Sequence, residues 1–295
     1  DRGLPRERPS TRPPPDQPPR SAPRTRPPVP RQAPRPFVQL RLTHHPGART
    51  RGICCTVQVL SDMISNVTTM SPTLRRVLAS AARLQEVVPD AVLVGGSAAA
   101  LHAGHRDSFD HDHVLADLVD RYEAVLEAVE ATEGWATSVR ASKPPLTIMG
   151  SLWGVEAGLR QVRRTRPLET REVAVGEGAS VVAPTAPEAL RIKAYLVVQR
   201  NVVRDYLDVA ALAEHLGLDG AVEILSGIDD YYVDRSGEPG SVLTSLVIAL
   251  ADPKPRDTAV IDELPRYKGL EERYHRWSDV LAVCQTLALR LGGAV

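Results

Sequence analysis

One stretch leaves the chain few choices of fold: "AVLVGGSAAALHAGHRDSFDHDHVL", residues 91 to 115. "DAVLVGG" reads as a buried strand that ends in a glycine turn, and "SAAALHAGH" as a short helix starting at Ser97. "DSFDHDHVL" reads as a second strand. A strand, a Gly-Gly-Ser turn, a short helix and a returning strand within 25 residues require a sheet with a helix packed beside it. The free N–H groups and the dipole at the start of that helix favour an anion, with Gly95, Gly96 and Ser97 as candidate phosphate holders.

The stretch also holds His102, His105, His111 and His113 together with Asp107, Asp110 and Asp112. Side chains alternate faces along a strand, so Asp110 and Asp112 share one face and His111 and His113 the other. Paired carboxylates on a strand edge suit Mg²⁺, whose remaining ligands are water and phosphate oxygens. His102 and His105 could reach one zinc ion, but no cysteine is near to complete such a site. Two solvated acids on an edge strand are the plainer alternative for the Asp pair. Ser108, two residues before Asp110, would face the same side by parity.

Elsewhere the chain divides by composition. Residues 1 to 36 carry thirteen of the 25 prolines and nine arginines, a segment expected to be disordered, and the expected disordered tail extends over 1–62. Met63 and Met70 stand just before the first well-formed helix signal, so a translation start there is an expectation. Residues 1 to 53 hold twelve arginines against three acids, and since the total charge is zero the remainder is about −9. An acidic body disfavours broad non-specific contact with nucleic acid. Any RNA contact should be local, and the run "RQVRRTRPLETR", residues 160 to 171, with Arg191, Arg200 and Arg204, is the place for it, unless it is simply a solvated basic face. Three cysteines, two of them adjacent, make no disulfide framework. With no apolar run near 20 residues, the expectation is a cytoplasmic protein that does not enter the membrane.

From Ser71 the order of elements is legible. "SPTLRRVLASAARLQEV" is a helix with a serine cap, "LVDRYEAVLEAVEAT" another, and "WATSVRA", "LTIMG", "LWGVEAGLRQV", "TREVAVG" and "SVVA" are strands. Thr185 and Glu188 form a capping-box signature for "PEALRIKAYLVVQR"; "VRDYLDVAALAEHLG" follows, and the rest reads as helix. The expected fold class is therefore α/β (α+β), a mixed-sheet core over 71–183 followed by a helical domain over 184–295.

On these residues the chain resembles the polymerase-beta-type nucleotidyltransferase fold. "GGSAAALHAGHRDSFDHDHV" is similar to the Gly-Gly, His-Arg-x-Ser-x-Asp-x-Asp pattern of AbiEii-type toxins, a group that includes MenT-like tRNA nucleotidyltransferases, and "EALRIKAYLVVQRNVVRDYLDVAAL" resembles that family's later motifs. The likeness spans about residues 70 to 215. It implies that Asp110 and Asp112 bind Mg²⁺, two ions in all, that Gly95, Gly96 and Ser97 hold phosphates, and that Lys193 contacts the triphosphate with Asp208 completing the essential set. Bland readings stand beside these: Asp208 could pair with Arg204 or Arg200, and Asp205 is read as structural. A hydroxyl at Ser108 would be a phosphorylation point that blocks nucleotide binding. The family carries apolar residues where His111 and His113 stand here, and Glu156 is a weak candidate for a third carboxylate, an exposed strand glutamate being as good an account.

The function this implies is a toxin of a toxin–antitoxin pair that moves a nucleotide from an NTP to the 3′ end of tRNA, with the cognate antitoxin as a further partner. A nucleotidyltransferase acting on a protein or small-molecule hydroxyl, and an inactive binding module of the same fold, are the alternatives left open.

Overall fold

The structure, a computed structural model, describes residues 70–164, 166–176, 178–232 and 240–293. Met63 and the Pro/Arg-rich tail lie outside the described residues.

The first helix, α1 (Pro72–Val87), begins where proline and a cap allow it: the Ser71 side chain accepts from the Leu74 N–H, and Pro72 occupies the first turn. It leads into β1 (Val92–Val94) and α2 (Gly95–Ala103), which stops at Gly104 in the left-handed conformation, φ 63°. Strand β2 (Asp110–Leu115) starts at Asp110, later than the hydropathy suggested, because residues 104–109 are a loop. After α3 (Tyr122–Glu130) come β3 (Trp135–Thr137), β4 (Thr147–Leu152) and β5 (Val155–Gln161). "LWGVEAGLRQV" is thus not one strand. Its Trp153 and Gly154, at φ 46° and 76°, make the turn between β4 and β5.

The five strands form one mixed sheet in the order β1-β2-β5-β4-β3. Only the β2–β5 pair is parallel; the others run antiparallel. Strands β6 (Thr170–Gly176) and β7 (Ala179–Pro184) make a separate antiparallel ribbon, whose β7 lies against β1 and α1. The mixed α/β class read from the sequence is what the chain adopts.

Beyond Pro184 the described chain is helical: α4 (Ala186–Arg200), α5 (Val203–Leu216), α6 (Leu218–Ser226), α7 (Val242–Ala251), α8 (Ala259–Glu263) and α9 (Trp277–Gly292), joined by short 3₁₀ turns. The Thr185 side chain accepts from the Glu188 N–H, but only half of the expected capping box forms. Glu188 turns inward to Arg164 (2.6 Å), and the Thr185 N–H goes to the Glu169 carbonyl (2.8 Å) instead.

Three apolar clusters hold these layers. Leu115, Ile148, Leu152 and Leu159 pack one sheet face against Val125 and Val129 of α3. Leu74, Leu78 and Ala81 of α1 meet α2 and the β6–β7 ribbon. The largest cluster joins α4 and α5 to the C-terminal helices and takes in Ala99 of α2. Burying α2 against both α4 and α5 brings the glycine turn and the later sequence motifs to one place. No helix of the described residues is long and apolar enough to cross a membrane.

Candidate functional site

Strand β2 alternates as its parity requires. Asp110 and Asp112 are partly exposed, while His111 and His113 are buried at 1% and 0% exposure. The His111 Nε2 lies 3.0 Å from Ser80 Oγ, and the His113 ring meets it edge-on at 5.2 Å. Burial pushes both imidazoles down, His111 to about 4, so neither carries charge near neutral pH. These histidines pack the back of the strand.

Asp110 and Asp112 instead face a cavity of about 460 Å³. Its rim is the Gly95–Gly96 turn: a Cβ on Gly96 would come 2.6 Å from Arg106 Nη2, whereas one on Gly95 would make only ordinary contact with Asp112 Oδ2, at 3.4 Å. Gly95 has φ +78°, which favours glycine. On the neighbouring strand Gly158 stands level with Asp112, and a Cβ there would fall 2.5 Å from its Oδ1. The absent side chain is the space the carboxylate occupies.

Eight basic side chains and two carboxylates line the cavity, which therefore suits an anionic ligand. Four of the cations pair with carboxylates of the protein, three of them buried. Asp208, fully buried, receives Arg106 in a two-pronged pair (Nε–Oδ1 2.8 Å, Nη2–Oδ2 3.0 Å) and Lys193 at 2.6 Å, and His105 Nε2 lies 2.8 Å from it. Burial alone would raise its carboxyl, but the Arg106 and Lys193 cations hold it well below the usual carboxylate range. Lys193 also lies 3.3 Å from Asp205, so Asp205 and Asp208 of α5 both serve it. Arg164 is the third, buried against Glu188.

The structure thus brings together Gly95, Gly96, Ser108, Asp110, Asp112 and Lys193 around one cavity. Two predicted residues are placed otherwise. The helix α2 begins at Gly95 rather than at Ser97, and the Ser97 hydroxyl donates to the Asp110 carbonyl, leaving no free hydroxyl for a phosphate. Asp208 does not line the cavity but holds two cations that do, neither of them Arg200 or Arg204. Ser108 is 1% exposed and donates to Asp110 Oδ1 at 3.2 Å, so a modifying enzyme would find almost no surface. Glu156 shares Asp110's rung of the ladder, yet it is exposed and outside the cavity lining. The zinc idea fails on partners: His102 binds the Pro184 carbonyl and His105 binds Asp208.

The arginine run divides as well. Arg160 reaches Asp112 at 3.3 Å and Arg163 lines the cavity, but Arg164 and Arg191 are internal, at 4% and 6% side-chain exposure, bound to Glu188 and Glu169. Those two are not free for RNA. Sequence reasoning missed Arg106, although it sits in the quoted motif; its signal was that it is the single Arg or Lys of residues 91–115.

The donor set fits a hard divalent cation. Asp110 and Asp112 offer carboxylate oxygens into the cavity, opposed by one half-exposed arginine, and Mg²⁺ commonly takes one or two carboxylates and completes its shell with water and phosphate. Among the described residues no group of three or more His, Cys, Asp or Glu side chains converges on a point, so any further ligand would come from substrate or solvent.

Fold and site together describe a mixed-sheet α/β protein with an anion cavity built around a carboxylate pair. No family model matches the chain. It is similar to the heme uptake protein MmpL11 of Mycobacterium tuberculosis and the probable transport protein MmpL11 of Mycobacterium bovis, each 28% identical over 259 residues. These alignments cover 80% of this chain and 24% of those proteins, so the chain spans about a quarter of the relatives it matches. A mycolic acid-containing lipids exporter MmpL11 of Mycolicibacterium smegmatis is 38% identical over 96 residues, 32% of this chain and 10% of that protein. Among solved structures, MenT4, a nucleotidyltransferase toxin of M. tuberculosis, superposes with a TM-score of 0.49 at 17% identity, covering 74% of this chain and 82% of that one. JHP933 of Helicobacter pylori gives 0.43 at 15%, covering 76% and 94%. Likenesses this loose assign no activity.

Proposed function

We propose that this chain is a Mg²⁺-dependent nucleotidyltransferase that moves a nucleoside monophosphate from an NTP to an acceptor hydroxyl, by resemblance the 3′ end of tRNA, with pyrophosphate as the leaving group, and that it acts as the toxin of a toxin–antitoxin pair. The observation that carries the reaction type is the convergence of Asp110 and Asp112, the Gly95–Gly96 turn, Arg106 and Lys193 on one cavity. Phosphoryl chemistry asks for this combination: oxygen ligands for a metal beside anion donors and cations.

Asp110 and Asp112 would hold the metal, two ions in the fullest version. When bound, Mg²⁺ would offset charge on the triphosphate and lower the proton affinity of the attacking hydroxyl. Lys193 and Arg106, fixed by Asp208, would bind phosphate oxygens without moving, and the backbone of Gly95 and Gly96 would approach the phosphates closely. Arg160, Arg163, Arg200 and Arg204 would guide an RNA backbone. The transport activities named for the mycobacterial relatives belong to proteins of which this chain spans a quarter, and nothing in this cavity asks for them.

The test is incubation with Mg²⁺, each α-³²P-labelled NTP and total tRNA, comparing the native chain with Asp110→Ala. Label on tRNA that vanishes in the variant is the expected result. Label only on protein or small molecules would move the acceptor; full activity in Asp110→Ala would refute the metal site.

A further inference from the structure

Lys268 lies beyond the segment that carries the family resemblance, yet it lines the same cavity as Asp110 and Arg106. It sits in a tight turn: the Leu270 N–H donates to the Tyr267 carbonyl at 2.8 Å, and the two central residues, Lys268 and Gly269, have φ 43° and 61°. Two successive left-handed residues make a type I′ turn, whose first central position favours Asn, Asp or Gly. A lysine there is strained, and such strain concentrates where a side chain has a use.

The turn is also fixed in place. The Asp107 N–H donates to the Lys268 carbonyl at 2.6 Å and the Glu271 N–H to the His105 carbonyl at 2.8 Å, tying it to the loop before β2. Gly269 presses on that loop so closely that a Cβ would stand 2.7 Å from Asp107 Oδ2. Asp107 is itself held by the Ser71 hydroxyl. Lys268 is thus presented from a rigid mount, not from a mobile surface segment.

Its ammonium has no internal use that matches. Lys193 and Lys254 each sit on a carboxylate, whereas the neighbours of Lys268 are the Phe109 and Tyr267 rings, at 5.9 and 5.7 Å, with no salt bridge among the described residues. The chain holds 32 arginines and four lysines, so a lysine at a strained cavity position stands out, and its compact ammonium suits a phosphate oxygen.

We propose that Lys268 is a phosphate-binding residue, its ammonium reaching from the C-terminal helical region to the triphosphate of the bound nucleotide. This rests on the nucleotidyltransferase reading of the same cavity. The geometry makes the site composite: the sheet supplies carboxylates, α4 supplies Lys193, and the turn at 267–270 closes it with a cation.

Calorimetric titration of the full chain with ATP, GTP, CTP and UTP in Mg²⁺, and with the corresponding monophosphates, tests it. Lys268→Asn removes the charge and puts Asn-Gly, the favoured pair, into the turn, so its thermal midpoint should equal or exceed that of the native chain. The variant should bind the preferred triphosphate about tenfold more weakly and the monophosphate within about twofold of native. Lys268→Arg should fall between, and Lys254→Asn should change nothing. Native triphosphate affinity in Lys268→Asn overturns the assignment. So does equal loss of mono- and triphosphate with a lowered midpoint, which marks a structural role. If the native chain binds no triphosphate, the reading of the cavity itself fails, an outcome visible before any variant is made.

Discussion

Single residues decide what this cavity can hold, and glycines decide it as firmly as the charged groups do. Gly158 matters because Asp112 lies where its side chain would be, with Met149 Sδ on the other side at 2.9 Å. Gly158→Ala should therefore push the Asp112 carboxylate out of position, and since the obstacle is the end of a side chain the fold should survive. We expect the Mg²⁺ concentration needed for half-maximal transfer to rise about tenfold or more, read from a Mg²⁺ titration of tRNA labelling beside a thermal melt. The pairing of Asp110 with Asp112 was legible from strand parity alone. The glycine opposite was not, because it lies 46 residues on in a strand whose register the sequence does not state.

At the scale of elements, α4, α5 and the loop between α2 and β2 are joined through one buried carboxylate. Asp208 on α5 meets Lys193 on α4 and both His105 and Arg106 on the loop. Asp208→Ala leaves Arg106 buried without its carboxylate and Lys193 with Asp205 alone, which should cost about 3–5 kcal/mol of stability, measured by urea unfolding. The same variant should lose nucleotide binding, since Arg106 and Lys193 would no longer be aimed. Sequence reasoning found Asp208 but gave it a place in the chemistry; the structure gives it a place one layer behind, holding the groups that line the cavity. Helices and caps were readable from local signals such as Ser71 and Thr185, whereas the partners of Glu188 and Arg191 were not, because they come from the β5–β6 connection.

Across the whole molecule, buried histidines link stability to pH. His102 and His111 are each pushed down to about 4 by burial, against an ordinary value of 6.5. The unfolded chain therefore binds protons that the folded chain refuses, so stability is full above about pH 6.5 and falls as pH drops toward 4, by about 1.4 kcal/mol per pH unit for each histidine once its unfolded form is protonated. Asp208 acts in the same direction but in a lower window: its depressed pKa adds stability that is lost only as pH falls below its ordinary 3.8. Thermal midpoints measured from pH 7.5 to 4.5 should fall steadily below 6.5, and His111→Gln should flatten the fall, its amide still able to reach Ser80.

The sequence by itself determined the strand–turn–helix–strand unit, the division of β2 into a carboxylate face and a histidine face, and the mixed α/β class, because each follows from local periodicity and turn chemistry. Tertiary structure alone decided which residues share the cavity. Arg106, Arg160 and Lys268 enter it, Ser97 turns away from it, and Asp208 stands behind it, because β2–β5 register and the packing of α2 on α4 and α5 are set by contacts distant in the chain, which no local pattern encodes.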